Sequence, residues 1–354
     1  MHNPARAPEP DTTAALTYAF AAPPAPGTVQ EVAPGVLWLR MPLPFALDHI
    51  NLWLLRDGDA WTAVDTGIGL DETRAHWDRI FAETLGGAGP GRIIVTHFHP
   101  DHMGNAGWLT QRFGIPMWMS ESEYLAAHAQ YDGRAGNGSR ATARLFAEHG
   151  LDAERVAGVE GRGNSYRKIV SEPPTQFVRM LDGDEIAVDG KTWRVIAGYG
   201  HAPEHSALYC ASLGVLISGD MLLPKISTNV SVWPVEPESD PLKLFLRSID
   251  RFAELPADTL VLPSHGLPFR GAHARVEMLH QHHRDRLAEV MERCARPTTA
   301  ADLIPVLFRR TLDLHQTFFA MGEAIAHLHY LWYRGRLART RGPDGVYRFQ
   351  VAGT

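Results

Sequence analysis

Apolar and polar residues alternate in short runs through the first part of the chain, the period of half-buried strands. Val36-Leu37-Trp38-Leu39-Arg40 follows the turn pair Pro34-Gly35. Asn51-Leu52-Trp53-Leu54-Leu55 comes next, and the turn Asp57-Gly58-Asp59 leads into Ala60-Trp61-Thr62-Ala63-Val64-Asp65. These predict meandering strands of one sheet. Residues 70–85 then shift to an amphipathic helical period. Residues 92–96 form a short, mostly apolar strand of the kind buried on both faces. A helix over 105–113 and a strand over 116–119 complete a β-β-β-α-β-α-β first half.

From 121 to 174 no strand pattern is present. Three short helices, at 121–130, 139–149 and 152–159, are separated by glycine-rich stretches and read as a helical insertion. Strand patterns resume at 176–180, 185–188, 192–197, 207–210, 214–218 and 259–263, with a helix over 241–254. Residues 271–296 predict a long helix that ends at Pro297. Beyond it, helical patterns at 298–308, near His315 and at 321–334 precede a hairpin at 336–350 around the turn Gly342-Pro343-Asp344-Gly345. Three helices and a hairpin suggest a small winged-helix-like module. The expected division is a flexible arm over 1–28, a main domain over 29–274, a linking helix over 275–296 and the small domain over 297–354.

Composition narrows the setting without naming a function. The 354 residues are 45% hydrophobic and 21% charged, ordinary for a globular protein. A net charge of −6 supplies no global attraction to nucleic acid or anionic lipid. No apolar run reaches the roughly 18 residues of a membrane span. The Ala/Pro-rich start lacks the basic end and continuous apolar core of a secretory leader. Cys210 and Cys294 form no CxxC pair and read as small buried apolar residues, so the expected setting is a reducing cytoplasm. The unusual count is histidine, with 18 residues.

The densest cluster is Thr96-His97-Phe98-His99-Pro100-Asp101-His102, between a buried strand and a helix. Side chains repeat every two residues on extended backbone, so His97 and His99 face the same way. Asp101 and His102, at the turn into the helix, can serve a second position nearby. Imidazole nitrogens and carboxylates suit Zn²⁺. His201, Asp220 and His265 each follow a predicted strand and stand beside a glycine or small residue, at what would be one edge of the sheets. A lone strand-end histidine is usually structural, but without metal this set would bury many imidazoles and carboxylates uncompensated.

His97-Phe98-His99-Pro100-Asp101-His102 resembles the HxHxDH signature of the metallo-β-lactamase superfamily, and His201, Asp220 and His265 match its remaining ligands in order and spacing. The resemblance covers about 29–274 and implies an α/β fold, the αββα sandwich, with a dinuclear site along one sheet edge. It assigns His97, His99 and His201 to one ion, Asp101, His102 and His265 to the other, and Asp220 to both. Asp65, in Asp65-Thr66-Gly67, resembles the carboxylate that orients a ligand imidazole; a turn cap is the other reading. The implied chemistry is hydrolysis by a hydroxide bridging two divalent ions, most simply zinc, with manganese and iron also tolerated by such ligands. Asp101 would be both ligand and catalytic group.

The full ligand set, Asp220 above all, resembles the thioesterases, lactonases and ribonucleases of the family rather than its β-lactamases. A small-molecule thioester, ester or lactone is the leading expectation. The layout also resembles lactamase-β-like proteins whose animal members are endoribonucleases, which makes a nuclease the alternative. There the small domain, with Arg334, Arg336, Arg339 and Arg341, would contact nucleic acid. A metal-keeping protein without turnover is a third reading. Candidate substrate contacts are Tyr166, Arg167, Lys168 and Lys225 for an anionic group and Tyr199 for an oxyanion. His205 would stand behind the ligands, while His280, His282 and His283 read as a solvated helical face. No membrane partner is expected, and a second copy of the chain, as a homo-oligomer, stays open as a partner.

Overall fold

The computed structural model describes residues 16–134 and 136–353. Two seven-stranded sheets lie face to face. One runs in the order β2 (Val29–Ala33), β3 (Val36–Pro42), β4 (His49–Asp57), β5 (Ala60–Val64), β6 (Arg92–Ile94), β7 (Met117–Met119) and β8 (Val178–Arg179). The other runs β1 (Thr17–Tyr18), β14 (Phe269–Arg270), β13 (Leu260–Pro263), β12 (Val215–Gly219), β11 (His205–Cys210), β10 (Lys191–Gly198) and β9 (Glu185–Val188). Strands β5 to β8 are parallel, as is the β12–β13 pair; the other pairs are antiparallel.

Side-chain alternation sorts the apolar residues into three layers. Trp38, Trp53, Val64 and Ile94 meet Trp193, Leu208, Ile217 and Leu262 between the sheets. The opposite face of the first sheet, with Leu39, Leu52, Leu54 and Ile93, packs beneath α1 (Asp71–Glu83) and α3 (Ala106–Phe113). Ile196, Ala207, Leu216 and Val261 do the same beneath α7 (Pro241–Asp250) and α8 (Ala272–Arg293). The expected αββα sandwich is thus present, with Cys210 and Cys294 free and buried in its layers.

The insertion forms α4 (Glu121–Asp132), α5 (Ser139–Glu148) and α6 (Ala153–Gly161). Ala127 of α4 joins the layer over the first sheet, whereas Phe146 of α5 and Val159 of α6 join the layer shared with the C-terminal helices. Those are α9 (Ala300–Leu307) and α10 (Leu314–Trp332), followed by the hairpin β15 (Leu337–Arg341) and β16 (Tyr347–Val351). No helix among the described residues is long and apolar enough to cross a membrane.

Three expectations need correction. Residues 1–15 of the expected arm lie outside the described residues, but Leu16 is buried and Thr17–Tyr18 pairs with Phe269–Arg270, capping the second sheet's edge. The separate helices near His315 and at 321–334 are one helix, α10. Asp313 and Gln316 form a capping box at its start, and Gly322 sits inside it. His283 is not on a solvated face: it is buried, with its Nδ1 3.3 Å from His327 Nε2.

Asn51 stitches the two sheets together. Its Oδ1 accepts from Trp38 Nε1 at 2.9 Å, and its Nδ2 donates to Pro263 O at 2.8 Å and Gly266 O at 2.9 Å. Asn51→Ala strands these groups, at about 1–3 kcal/mol for each left unpaired. Urea unfolding of the metal-free protein should show a stability loss of about 3 kcal/mol; a change under 0.5 kcal/mol, the usual range for an ordinary surface substitution, would contradict this role.

Candidate metal centre

The site is assembled at the loop ends of both sheets. Beyond β6 the chain runs through buried Val95 and Thr96 into His97. Pro100 then opens the short helix α2 (Pro100–Met103), whose fixed φ suits a first helical position and places Asp101 and His102 in its only turn. His201 follows β10, Asp220 follows β12 and His265 follows β13. One ligand atom each from His97, His99, His201 and Asp220 lie within 4.8 Å of one another, as do those from Asp101, His102 and His265.

Asp220 joins the two groups. Its Oδ2 is 3.3 Å from His201 Nε2 and 4.0 Å from His97 Nε2, while Oδ1 is 3.4 Å from His265 Nε2 and 3.5 Å from His102 Nε2. Two ligand atoms on one ion, each about 2.1 Å away, stand roughly 3.0–3.5 Å apart. The His201, His265 and His102 spacings meet that limit and the His97 spacing exceeds it, so the donor set suits metal binding about the Asp220 carboxylate. His102 Nε2 and Asp220 Oδ1 are buried without a hydrogen-bond partner, the condition a cation would relieve.

The other ring nitrogens explain the aim of the imidazoles. His102 Nδ1 donates to Asp65 Oδ2 at 2.8 Å, His201 Nδ1 to Asn229 O at 2.7 Å, and His265 Nδ1 to His49 O at 2.7 Å. His97 Nδ1 lies 3.0 Å from Thr96 Oγ1, whose own hydroxyl donates to Asp65 Oδ2 at 2.9 Å. In four of the five rings Nδ1 is spoken for, so Nε2 carries the lone pair and points into the site. His99 instead presents Nδ1, 2.9 Å from His97 Nε2.

Electrostatics favours the neutral ring at His97 and His99 and the charged ring at His102 and His265. Burial, reinforced by the imidazoles of His102 and His99, holds His97 well below the ordinary histidine range. Burial and His201 do the same to His99. For His102, burial is outweighed by Asp65, Asp101 and Asp220, which raise it. Burial also works against ionisation of Asp220, yet His265 and His102 hold it well below the carboxylate range.

Asp65 meets His102 through its carboxylate. Beyond the imidazole, it accepts from Thr96 N at 2.8 Å, and it holds a φ of +62° that is uncommon outside glycine. His205 is buried behind the ligands, its Nε2 accepting from Asp220 N at 3.2 Å. A Cβ at Gly219 would lie 2.1 Å from that nitrogen, so only glycine lets the strand pass into Asp220 here.

The expected substrate contacts fare less well. Tyr166 is buried and its hydroxyl donates to Phe98 O at 2.6 Å, so it fixes the histidine loop instead of facing a substrate. Arg167 and Lys168 are exposed, with the Arg167 guanidinium 4.9 Å from the Tyr131 ring centroid. Lys225 is exposed on the loop after Asp220. The Tyr199 phenol lies among Glu204, Asp182 and Arg251, charged neighbours that are not in the donor set.

Four residues that matter were not evident in the sequence. Glu123 is fully buried; its carboxylate accepts from Phe98 N at 2.9 Å and Glu204 N at 2.6 Å, bracketing the loops of His97, His99 and His201. Burial pushes its carboxyl up to about 7 against the pull of those two donors. Ser120 and Glu123 have capping-box spacing, but both turn instead to Glu204, Ser120 Oγ donating to Glu204 O. His49 and Asn229 orient ligands through backbone carbonyls, and Asn51 acts at the base of the His265 loop; none belongs to a local motif.

Known proteins show the same arrangement of sequence. Residues 46–265 match the family described as the metallo-beta-lactamase superfamily, and 287–352 match the metallo-beta-lactamase-like C-terminal domain. The crystal structure of a beta-lactamase domain protein from Burkholderia ambifaria is 47% identical, covering 96% of this chain and 99% of that one, with a TM-score of 0.90. A probable metallo-hydrolase of Bacillus subtilis, YqjP, is 25% identical over 84% of this chain and 92% of its own length. A hydroxyacylglutathione hydrolase of Cupriavidus taiwanensis is 28% identical over 63% of this chain and 65% of its own. The fold, the donor set and these matches together make the chain a member of the metallo-β-lactamase superfamily and a metal-dependent hydrolase of that kind.

Proposed function

We propose that this protein is a dinuclear hydrolase of small-molecule thioesters, esters or lactones, with His97, His99 and His201 holding one ion, Asp101, His102 and His265 the other, and Asp220 both. The observation that carries the reading is the set of imidazoles locked through Nδ1, with the two oxygens of Asp220 shared between two donor groups. Zinc is the simplest occupant of such nitrogen and oxygen donors. When bound, the ion pair would lower the pKa of a water to near neutrality and polarise the scissile carbonyl.

The chain's own contribution is orientation and proton handling. Asp101 is only partly buried, and its Oδ2 lies 3.5 Å from His265 Nε2. Its carboxylate would align the attacking water and take up its proton. The similarity to a hydroxyacylglutathione hydrolase supports a thioester. The arginines that suggested nucleic acid are largely paired off. Arg334 meets Asp240 at 2.9 Å, Arg339 meets Glu238 at 2.9 Å, and Arg341 meets Glu148 at 3.2 Å.

Zinc-loaded protein should hydrolyse at least one member of a thioester, aryl ester and lactone panel, lose the activity to a chelator and recover it with zinc. Chelator-sensitive cleavage of single-stranded RNA with no turnover on the panel would overturn the small-molecule reading.

A further inference from the structure

The C-terminal helix α10 reaches the backbone segment that supports the metal centre. The carbonyl that fixes His201 belongs to Asn229, on an irregular segment between β12 and α7 where no strand ladder holds the backbone. Contacts within the segment, from Arg275 of α8 to Leu223 O and Ile226 O, and to α10 hold it instead. Asn229 Nδ2 donates to Glu323 Oε2 at 3.3 Å, and Ser231 Oγ donates to Asn229 Oδ1 at 2.7 Å. Val232 N donates to Gly322 O at 3.2 Å. A Cβ at Gly322 would lie 2.6 Å from Ser231 Oγ, so the absence of a side chain there lets the segment seat on the helix.

Two turns earlier on the same helix, His315 stacks on Phe45 with ring centroids 5.2 Å apart. Phe45 is four residues before His49, whose carbonyl fixes His265. The helix thus hydrogen-bonds to the support on the His201 side, and on the His265 side it meets only Phe45, on the segment leading to His49.

We propose that Glu323 is a positioning residue for the metal centre: through Asn229 it sets the aim of His201 Nε2, so that zinc affinity in the His97, His99 and His201 half depends on the C-terminal domain. This rests on the dinuclear reading above. Loss of an outer partner of a ligand histidine typically lowers metal affinity by about 10–100-fold. A Glu323 that only packs would instead change the stability of the metal-free fold and leave affinity alone.

The test compares wild type, Glu323→Ala and Glu323→Gln in full-length protein, by zinc competition against a chromophoric chelator and by thermal unfolding without metal. Glutamine keeps an oxygen to accept from Asn229. Glu323 stands one residue beyond that direct partner, so Glu323→Ala should bind one of two zinc ions up to about tenfold more weakly, with the other unchanged and the metal-free Tm within about 4 °C of wild type. Glu323→Gln should restore the affinity. Two ions bound by Glu323→Ala with wild-type affinity, or an equal loss in Glu323→Gln, would overturn the proposal while leaving the dinuclear reading intact. A wild-type chain that takes up no zinc would overturn both.

Discussion

Replacing Asp220 with alanine is expected to remove at least one ion and lower kcat by about 10³-fold, at the upper end of the loss seen when one preorganised electrostatic group is removed. The size follows from its position. Asp220 is the residue whose two oxygens face different imidazole pairs, His201 and His97 on one side, His265 and His102 on the other. Alanine leaves no anion between those four rings, so two dications held nearby would repel each other without a shared counter-charge. Metal content and steady-state kinetics on the same preparation check this, with circular dichroism to confirm the fold. Two ions and undiminished turnover in Asp220→Ala would show that the carboxylate is not shared.

The second large effect is expected at Glu123, which touches no proposed ligand side chain. Glu123→Ala orphans Phe98 N, inside the histidine loop, and Glu204 N, three residues after His201. At about 1–3 kcal/mol per stranded donor, the fold should lose about 3 kcal/mol. The consequence for function is larger than that figure suggests, because the carboxylate holds two loops in register. Small displacements of a reacting geometry can cost about 10²-fold in rate. Thermal unfolding of the metal-free protein and kcat of the zinc-loaded protein should therefore both fall. Wild-type values for each would show that the loops are held without it.

Much of the donor set was legible in the sequence because it is either local or punctuated. His97, His99, Asp101 and His102 fall within six residues, on a strand exit whose period dictates which side chains face together. His201, Asp220 and His265 stand where apolar runs end, beside Gly200, Gly219 and Gly266. The supports were not legible for a physical reason: they act through backbone groups brought close only by folding. Asn51 meets Pro263 and Gly266 across more than two hundred residues of chain, and His49 meets His265 in the same way. Glu123 has the spacing of a helix cap and is used otherwise. Tyr166 misled in the opposite sense, since a tyrosine beside two basic residues reads as a substrate contact, yet its hydroxyl is committed to Phe98 O.

The C-terminal region shows a similar limit. Gly322 falls inside the helix expected at 321–334, although glycine is costly in a helix interior. Its value lies in the close approach of Ser231, which no local pattern announces. The basic character of Arg334, Arg339 and Arg341 was equally legible, but their partners Asp240, Glu238 and Glu148 come from distant segments.

The central claim is that two ions share Asp220 between the two imidazole groups. Stripping the purified protein with a chelator, reloading it with zinc, and measuring bound metal per folded chain tests it most directly. Two tightly held ions are expected; one ion or none, with the fold intact, would contradict the sharing of Asp220.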